Sequence, residues 1–131
     1  MVMRSAVVTG GSGDIGFAIG KALIDDGYIV GLLDIDRQKL QQRCDKIGAV
    51  ALPADVTNEA EIESALNKFD HVPDLLVNNA GVGRFQPLLE MPIEMFREQL
   101  DVNLVGSFIC ARSAAKKMVK RGSGVILNIT S

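Results

Sequence analysis

Short apolar runs alternate along this chain with longer stretches in which apolar residues return every three or four positions. Arg4–Thr9, Tyr28–Leu33, Ala49–Pro53, Pro73–Val77 and Val125–Thr130 read as five strands. The second is apolar enough to be buried on both faces. Helical stretches fill the gaps. Asp14–Asp26 is the first and Gly27 follows it as a stop. Asp36 is placed to cap the second, Arg37–Ile47, which ends before Gly48. Asn58-x-x-Glu61 has the form of a capping box for a third, running through Phe69. A polar loop then leads to Met91, and Pro92 suits the first turn of a long helix. Its periodicity runs through Phe96, Leu100, Leu104, Phe108, Ala111, Ala115 and Met118 to about Arg121. One straight helix of that length is unusual, so a bend is expected near Asn103. Gly122-Ser123-Gly124 ends it.

Strands that alternate with helices build a parallel sheet covered on both faces. Right-handed crossovers reduce the arrangement to a doubly wound α/β sheet, a Rossmann fold with strand order 3-2-1-4-5. Ligand is then expected at the switch point between strands 1 and 4. Residues 1–131 read as one domain, without repeat, linker or low-complexity segment.

Composition narrows the classes. The chain has 131 residues, 47% of them apolar, which suits a globular core. A net charge of −2 with no long single-sign run gives no electrostatic case for nucleic acid or an anionic membrane. The opening Met1-Val2-Met3-Arg4 leads into an apolar run too short for a signal peptide or a membrane span. Cys44 and Cys110 match no metal spacing and read as reduced thiols of a cytoplasmic protein, with Cys110 in the core. No metal site is expected.

The candidate chemistry starts where the first strand meets the first helix, at Thr9-Gly10-Gly11-Ser12-Gly13-Asp14-Ile15-Gly16. Gly11-x-Gly13-x-x-Gly16 follows a strand and opens a helix, the context a dinucleotide phosphate site requires. Free N–H groups and the partial positive charge of the helix start favour an anion there. Asp34 closes the second strand, where its carboxylate can accept hydrogen bonds from the two ribose hydroxyls of an adenosine. It would repel a 2′-phosphate, and neighbouring Ile35 supplies no positive charge, so NAD is favoured over NADP. Arg37 is the one nearby cation that could reach such a phosphate. Asp34 could alternatively serve as a helix cap. Asp55, Asn78 to Gly81, and Thr130 with Ser131 close the remaining strands on the same sheet edge.

Thr9-Gly10-x-x-x-x-Ile15-Gly16, Asp34, Asp55-Val56, Asn78-Asn79-Ala80-Gly81, Asn103 and Asn128-Ile129-Thr130-Ser131 together resemble the short-chain dehydrogenase/reductase family over the whole chain. The resemblance implies an oxidoreductase that interconverts an alcohol and a ketone or aldehyde by hydride transfer with NAD. It implies that Gly10, Gly11, Ser12, Gly13, Asp14, Ile15 and Gly16 cradle the pyrophosphate. Asp34 and Ile35 would hold the adenosine ribose side, and Asp55 and Val56 the adenine. Asn79, Ala80, Gly81 and Thr130 would line the path to the nicotinamide. Asn103 would bend the long helix and hold a water in a proton relay, and Ser131 would bind the substrate oxygen as the catalytic serine. Without the resemblance, Asn103 reads as a satisfied helix-interior amide and Ser131 as a polar strand end.

Two positions depart from the family pattern. Asp14 stands where the family usually has glycine, and a carboxylate there is expected to point away from the phosphates. The family's acid–base pair, Tyr-x-x-x-Lys, has no counterpart: the single tyrosine, Tyr28, is followed four residues on by Leu32. The domain therefore looks cut short at the end of strand 5. It is expected to be the ordered part or a fragment of a longer protein, or else a dinucleotide-binding module without turnover. A methyltransferase reading does not account for Asn78–Gly81 or Ser131. Small residues on the long helix, Gly106, Ser107, Ala111, Ala114 and Ala115, suggest a homodimer or homotetramer through residues 92–121 or packing on the chain's own sheet. Lys116, Lys117, Lys120 and Arg121 read as a solvated face, and His71 as structural.

Overall fold

Alternating side chains on the first strand divide the interior in two. The computed structural model of the chain describes residues 3–131. In β1 (Ser5–Thr9) every residue is buried, and neighbouring positions point to opposite sides of the sheet. Val7 joins Leu33, Leu52, Ile62 and Leu76 in one cluster, and Val8 joins Val30, Leu32, Leu40 and Val77 in the other. Each such aliphatic side chain contributes about 1.5–3 kcal/mol on burial.

The chain continues through α1 (Asp14–Asp25), β2 (Ile29–Asp34), α2 (Arg37–Ile47), β3 (Val50–Pro53), α3 (Glu59–Lys68) and β4 (Leu75–Asn78). Then come α4 (Ile93–Leu100), a π-helical turn (Asp101–Gly106), α5 (Ser107–Arg121) and β5 (Val125–Asn128). All the strand pairings are parallel, in the order β3-β2-β1-β4-β5. This is the doubly wound Rossmann arrangement read from the alternation of elements. The connection reverses direction between β1 and β4, so their carboxyl ends flank a crevice. Helix α1 lies close on β2 because Gly20 leaves room: a Cβ there would come 2.6 Å from Leu32 Cδ2.

Local end signals work as their chemistry requires. The Asp36 side chain accepts from Lys39 N–H at 3.1 Å, so the helix cap is Asp36 rather than Asp34. Gly48 and Gly122 end α2 and α5 with φ of 75° and 91°. Most element ends shift by a residue or two from the sequence reading, and some of the differences have a clear local form. The box at α3 is half made: Asn58 Oδ1 accepts from Glu61 N–H, but Glu61 Oε1 turns to Asp55 N–H instead of Asn58. Pro92 is extended, with ψ 143°, and sits one residue before the helix. β4 runs one residue past its expected end because Asn78 pairs with Asn128, and β5 ends at that pair, two residues short of Thr130.

The long helix is interrupted where a bend was expected, and the interruption is the π turn around Asn103. Of its small residues, Gly106 and Ala114 are buried. A Cβ on Gly106 would lie 2.7 Å from Val56 Cγ2, so close packing there serves the chain's own sheet side. The basic run is not simply a solvated face. Lys116 pairs with Glu63 at 2.9 Å and Arg121 with Asp74 at 3.2 Å, tying α5 to α3 and to the approach to β4. The Lys116 ammonium in turn holds the Glu63 carboxyl below its ordinary value. His71 sets its ring edge-on to Phe69, 5.4 Å between centroids. Both cysteines are free and buried. Burial raises the Cys44 thiol to about 11 and the Cys110 thiol to about 12.

Candidate functional site

The glycine turn leaves β1 with Gly10 at φ 66°, in the left-handed region that glycine adopts without strain. The turn is closed by Gly13 N–H donating to Gly10 O at 3.2 Å and Gly11 N–H to Leu33 O at 3.0 Å. Helix α1 then starts from Gly13 with no side-chain cap. Its first-turn N–H groups, at Asp14, Ile15 and Gly16, are the ones an α-helix cannot bond internally. Gly16 must lack a side chain, since a Cβ would run into Gly10 O and come 2.8 Å from Asn79 Nδ2.

The residues after β4 brace this turn. Asn79 and Ala80 donate their N–H groups to Thr9 Oγ1 at 3.0 and 2.9 Å, and Asn79 Nδ2 donates to Thr9 O at 3.1 Å. A Cβ on Gly10 would lie 2.9 Å from Ala80 Cα, so the two segments meet backbone to backbone at the switch point. Before them, Asn78 donates from Nδ2 to Ser107 O and to Asn128 Oδ1, joining β4 to α5 and β5.

Asp34 is fixed by its neighbours. Its Oδ2 accepts from Ser12 N–H at 3.0 Å, and its Oδ1 from Ile35 N–H at 2.8 Å and Asp36 N–H at 3.4 Å. An ionised carboxylate offers about four acceptor positions, so it retains capacity for a ligand hydroxyl. It lines two neighbouring spaces that share Gly10, Asp34 and Gly81. One, of about 330 Å³, is lined by Asp34, Ile35, Asp55, Val56, Ala80 and Gly81 among others. The other, of about 480 Å³, is lined by the glycine turn with Asp34, Lys39 and Asn79. Asp55 Oδ1 is engaged by Thr57 N–H and Oγ1 at 2.9 and 2.7 Å, while Ile35 stands 69% exposed at the rim.

Thus Gly10, Ser12, Gly13, Asp14, Ile15, Gly16, Asp34, Ile35, Asp55, Val56, Asn79, Ala80 and Gly81 converge on one groove. Gly11 lies beneath it, with its Cβ position 2.6 Å from Leu32 Cβ. Thr130 and Ser131 lie beyond β5, exposed, and line neither space. Asn103 sits in the π turn with its amide paired to one residue: Oδ1 accepts from Val82 N–H and Nδ2 donates to Val82 O, both at 2.8 Å. Its carbonyl accepts from Ser107 Oγ at 3.1 Å.

Two participants, Lys39 and Arg43, have no signal in the local sequence pattern, and Thr9, although it opens the glycine motif, has a role the motif does not spell out. Thr9 is the hub for the segment after β4. Lys39 brings a cation to the end of the groove lined by the glycine turn. Arg43, on α2, reaches back to Asp14 at 2.9 Å across 29 positions. Asp14, 95% exposed, is therefore paired on the α2 side. Among the described residues, no cluster of three or more His, Cys, Asp or Glu is placed to hold a metal ion, and no helix is long and apolar enough to cross a membrane.

A doubly wound parallel sheet with a glycine turn, an uncapped helix start and an acidic residue at the end of β2 defines a Rossmann-type protein. The chain belongs to the short chain dehydrogenase family, which it matches over residues 4–131. It is 36% identical to an uncharacterized oxidoreductase of Thermotoga maritima, over 98% of this chain and 53% of that protein. It is 37% identical to the 3-oxoacyl-[acyl-carrier-protein] reductase of Synechocystis, over 100% of this chain and 57% of that one. Its fold superposes on a Brucella melitensis 3-oxoacyl-[acyl-carrier protein] reductase crystallised with NAD with a TM-score of 0.93 at 29% identity, over 98% of this chain and 53% of that one. The chain spans about half the length of the relatives it matches.

Proposed function

We propose that this chain forms the NAD(H)-binding part of an oxidoreductase that interconverts an alcohol and a ketone or aldehyde. The observation that carries the reading is the uncapped start of α1 beside a fixed Asp34 carboxylate, both facing one groove. The residues present fit a dinucleotide. Gly10, Gly13 and Gly16 keep the turn bare, and free first-turn N–H groups suit a pyrophosphate. The remaining acceptor capacity of Asp34 suits ribose hydroxyls, while its negative charge disfavours a 2′-phosphate. Lys39 at the same end of the groove is the residue that tempers this preference for NAD over NADP. Ile35, Val56 and Ala80 offer apolar surface to an adenine, with Asp55 at its edge.

When bound, a nicotinamide dinucleotide would supply the hydride in carbonyl reduction and accept it in alcohol oxidation. The chain's own residues bind and orient. Asn103 joins the π turn to Val82 and so fixes the loop after β4 at the groove mouth; its proposed part in a proton relay rests on the family resemblance. Ser131 and Thr130, at the carboxyl side of β5, are the proposed contacts to the substrate oxygen and the nicotinamide side. A hydrogen bond from Ser131 would stabilise charge developing on that oxygen.

One observation favours a second reading, dinucleotide binding without turnover. Tyr28, the single tyrosine, precedes β2 and lies under the Arg4 guanidinium, 4.5 Å from Cζ to its ring centroid. That is the end of β2 opposite Asp34, so this tyrosine cannot exchange protons in the groove. Nicotinamide absorbance, followed with a panel of secondary alcohols and both dinucleotides, separates the readings. Turnover with NAD supports the oxidoreductase. NAD binding without turnover supports the module. Failure to bind either dinucleotide overturns both. A cytoplasmic location and self-association through α4 and α5 complete the proposal, the latter supported by the apolar side chains those helices expose.

A further inference from the structure

The charged residues lining the phosphate end of the groove are Asp14, Asp34 and Lys39. Two carboxylates and one ammonium leave that surface with a net negative charge, a poor match for a pyrophosphate. Asp34 is held by Ser12 N–H and belongs to the ribose side. Asp14 is the anomaly, because it opens the helix whose free N–H groups would have to receive the phosphates.

Arg43 changes this balance from outside the groove. Its Nη2 lies 2.9 Å from Asp14 Oδ1. Its guanidinium is stacked on Phe17, with Cζ 4.5 Å from the ring centroid. Phe17 is one helical turn beyond Asp14 on α1, while Arg43 is on α2. The stack holds the cation in place before Asp14 is considered, and the Arg43 side chain is only 22% exposed. A flexible exposed pair contributes little to stability, but a preplaced cation sets where a carboxylate points and how much field it projects.

We propose that Arg43 is a positioning residue for the cofactor groove: stacked on Phe17, it draws the Asp14 carboxylate to the α2 side and cancels its charge, so that the start of α1 stays attractive to a pyrophosphate. The proposal rests on the reading of this groove as a dinucleotide site. Arg43 touches no ligand and acts only through Asp14. It explains how the chain carries an aspartate where its family usually carries glycine.

The test is a double-mutant cycle read by NADH fluorescence titration of the full chain at low salt. Arg43→Met keeps the aliphatic stem over Phe17 and removes the charge. It raises the NADH dissociation constant about five- to tenfold when Asp14 is present, and less than about twofold in the Asp14→Asn background. Arg43→Lys restores most of the affinity. The Arg43→Met effect shrinks as ionic strength rises, because the unmasked charge is solvent-facing. Thermal unfolding of all variants stays close to that of the parent chain. Equal weakening in both backgrounds would mean that Arg43 acts by itself, and would overturn the proposal, as would unchanged binding in Arg43→Met. A parent chain that binds no NADH overturns the cofactor reading and this proposal with it; parent binding without coupling overturns only the proposal.

Discussion

The two flanks of the sheet are built to different standards. On the side of β1 and β2, strand residues are almost wholly buried, from Ala6, Val7 and Val8 at 0% exposure to Leu32 at 0% and Leu33 at 1%. On the other side, every residue of β5 is exposed and α4 buries none of its residues. Phe96, Leu104, Phe108 and Leu127 stand 47–64% exposed. The glycine turn and Asp34 belong to the buried flank, with the residues after β4 bracing the turn from the middle of the sheet. Ser131 and Thr130 follow the exposed one. The groove that would take a cofactor is thus supported by finished packing, whereas the residues proposed to meet substrate rest on surface that the described residues leave uncovered.

The largest expected effect tests that contrast directly. Leu32 fills the space that Gly11 and Gly20 leave open beneath the glycine turn. Leu32→Ala removes a fully buried side chain that cannot be replaced by solvent, and should cost about 3 kcal/mol. Leu127→Ala in β5, where the side chain is 47% exposed, should cost less than about 1 kcal/mol. Urea melts of the two variants measure the difference. Equal costs would mean that β5 is packed in solution as firmly as β2, and the contrast between flanks would fall.

A smaller, pH-gated effect comes from the interior on both faces of the sheet. Burial raises Cys44 to about 11 and Cys110 to about 12, from an ordinary value of 9.0. The fold keeps both thiols protonated, while the unfolded chain releases their protons above about pH 9. Their contribution is therefore fully present below pH 9 and is lost as pH climbs toward 11 and 12. Urea midpoints at stepped alkaline pH should fall more steeply for the parent chain than for Cys44→Ala with Cys110→Ala. Parallel slopes would show that these thiols are accessible to water. The same burial predicts slow reaction with thiol reagents under native conditions.

What the sequence made legible follows a physical boundary. The glycine turn and the Asp36 cap could be read because each is a local pattern whose chemistry is complete within a few residues, and the strand order because right-handed crossovers leave few ways to arrange alternating strands and helices. A break near Asn103 was also legible, because the apolar period ran too long for one straight helix. Its form was not, since the π turn is accompanied by a long-range contact that periodicity does not report: the Asn103 side-chain amide pairs with the Val82 backbone, 21 positions away. Arg43 was invisible for the same reason. Nothing in the periodicity of α2 says that one of its arginines crosses to Asp14 of α1. The supposed capping box at Asn58 shows the converse error: the local pattern was right in form, but the Asn58 N–H is already donated to Asp55 O at 3.0 Å, and Glu61 accepts from Asp55 N–H instead.

The smallest expected effect bears on the exposed flank. Phe108 is 61% exposed on α5, on a helix whose buried side is formed by Cys110, Ser113, Ala114 and Met118. Phenylalanine and serine have similar helix propensities, so Phe108→Ser should leave unfolding of the dilute chain within about 0.5 kcal/mol of the parent. Sedimentation at rising concentration supplies the second readout. If two copies associate through α4 and α5, the parent chain should form dimers that Phe108→Ser weakens, because an exposed aromatic at the centre of such a face contributes most of its energy on burial. A loss of more than about 1.5 kcal/mol in the dilute chain would instead mean that Phe108 is already covered within one copy. The exposed flank would then be as complete as the flank that carries the glycine turn, and Ser131 would have a rigid support of its own.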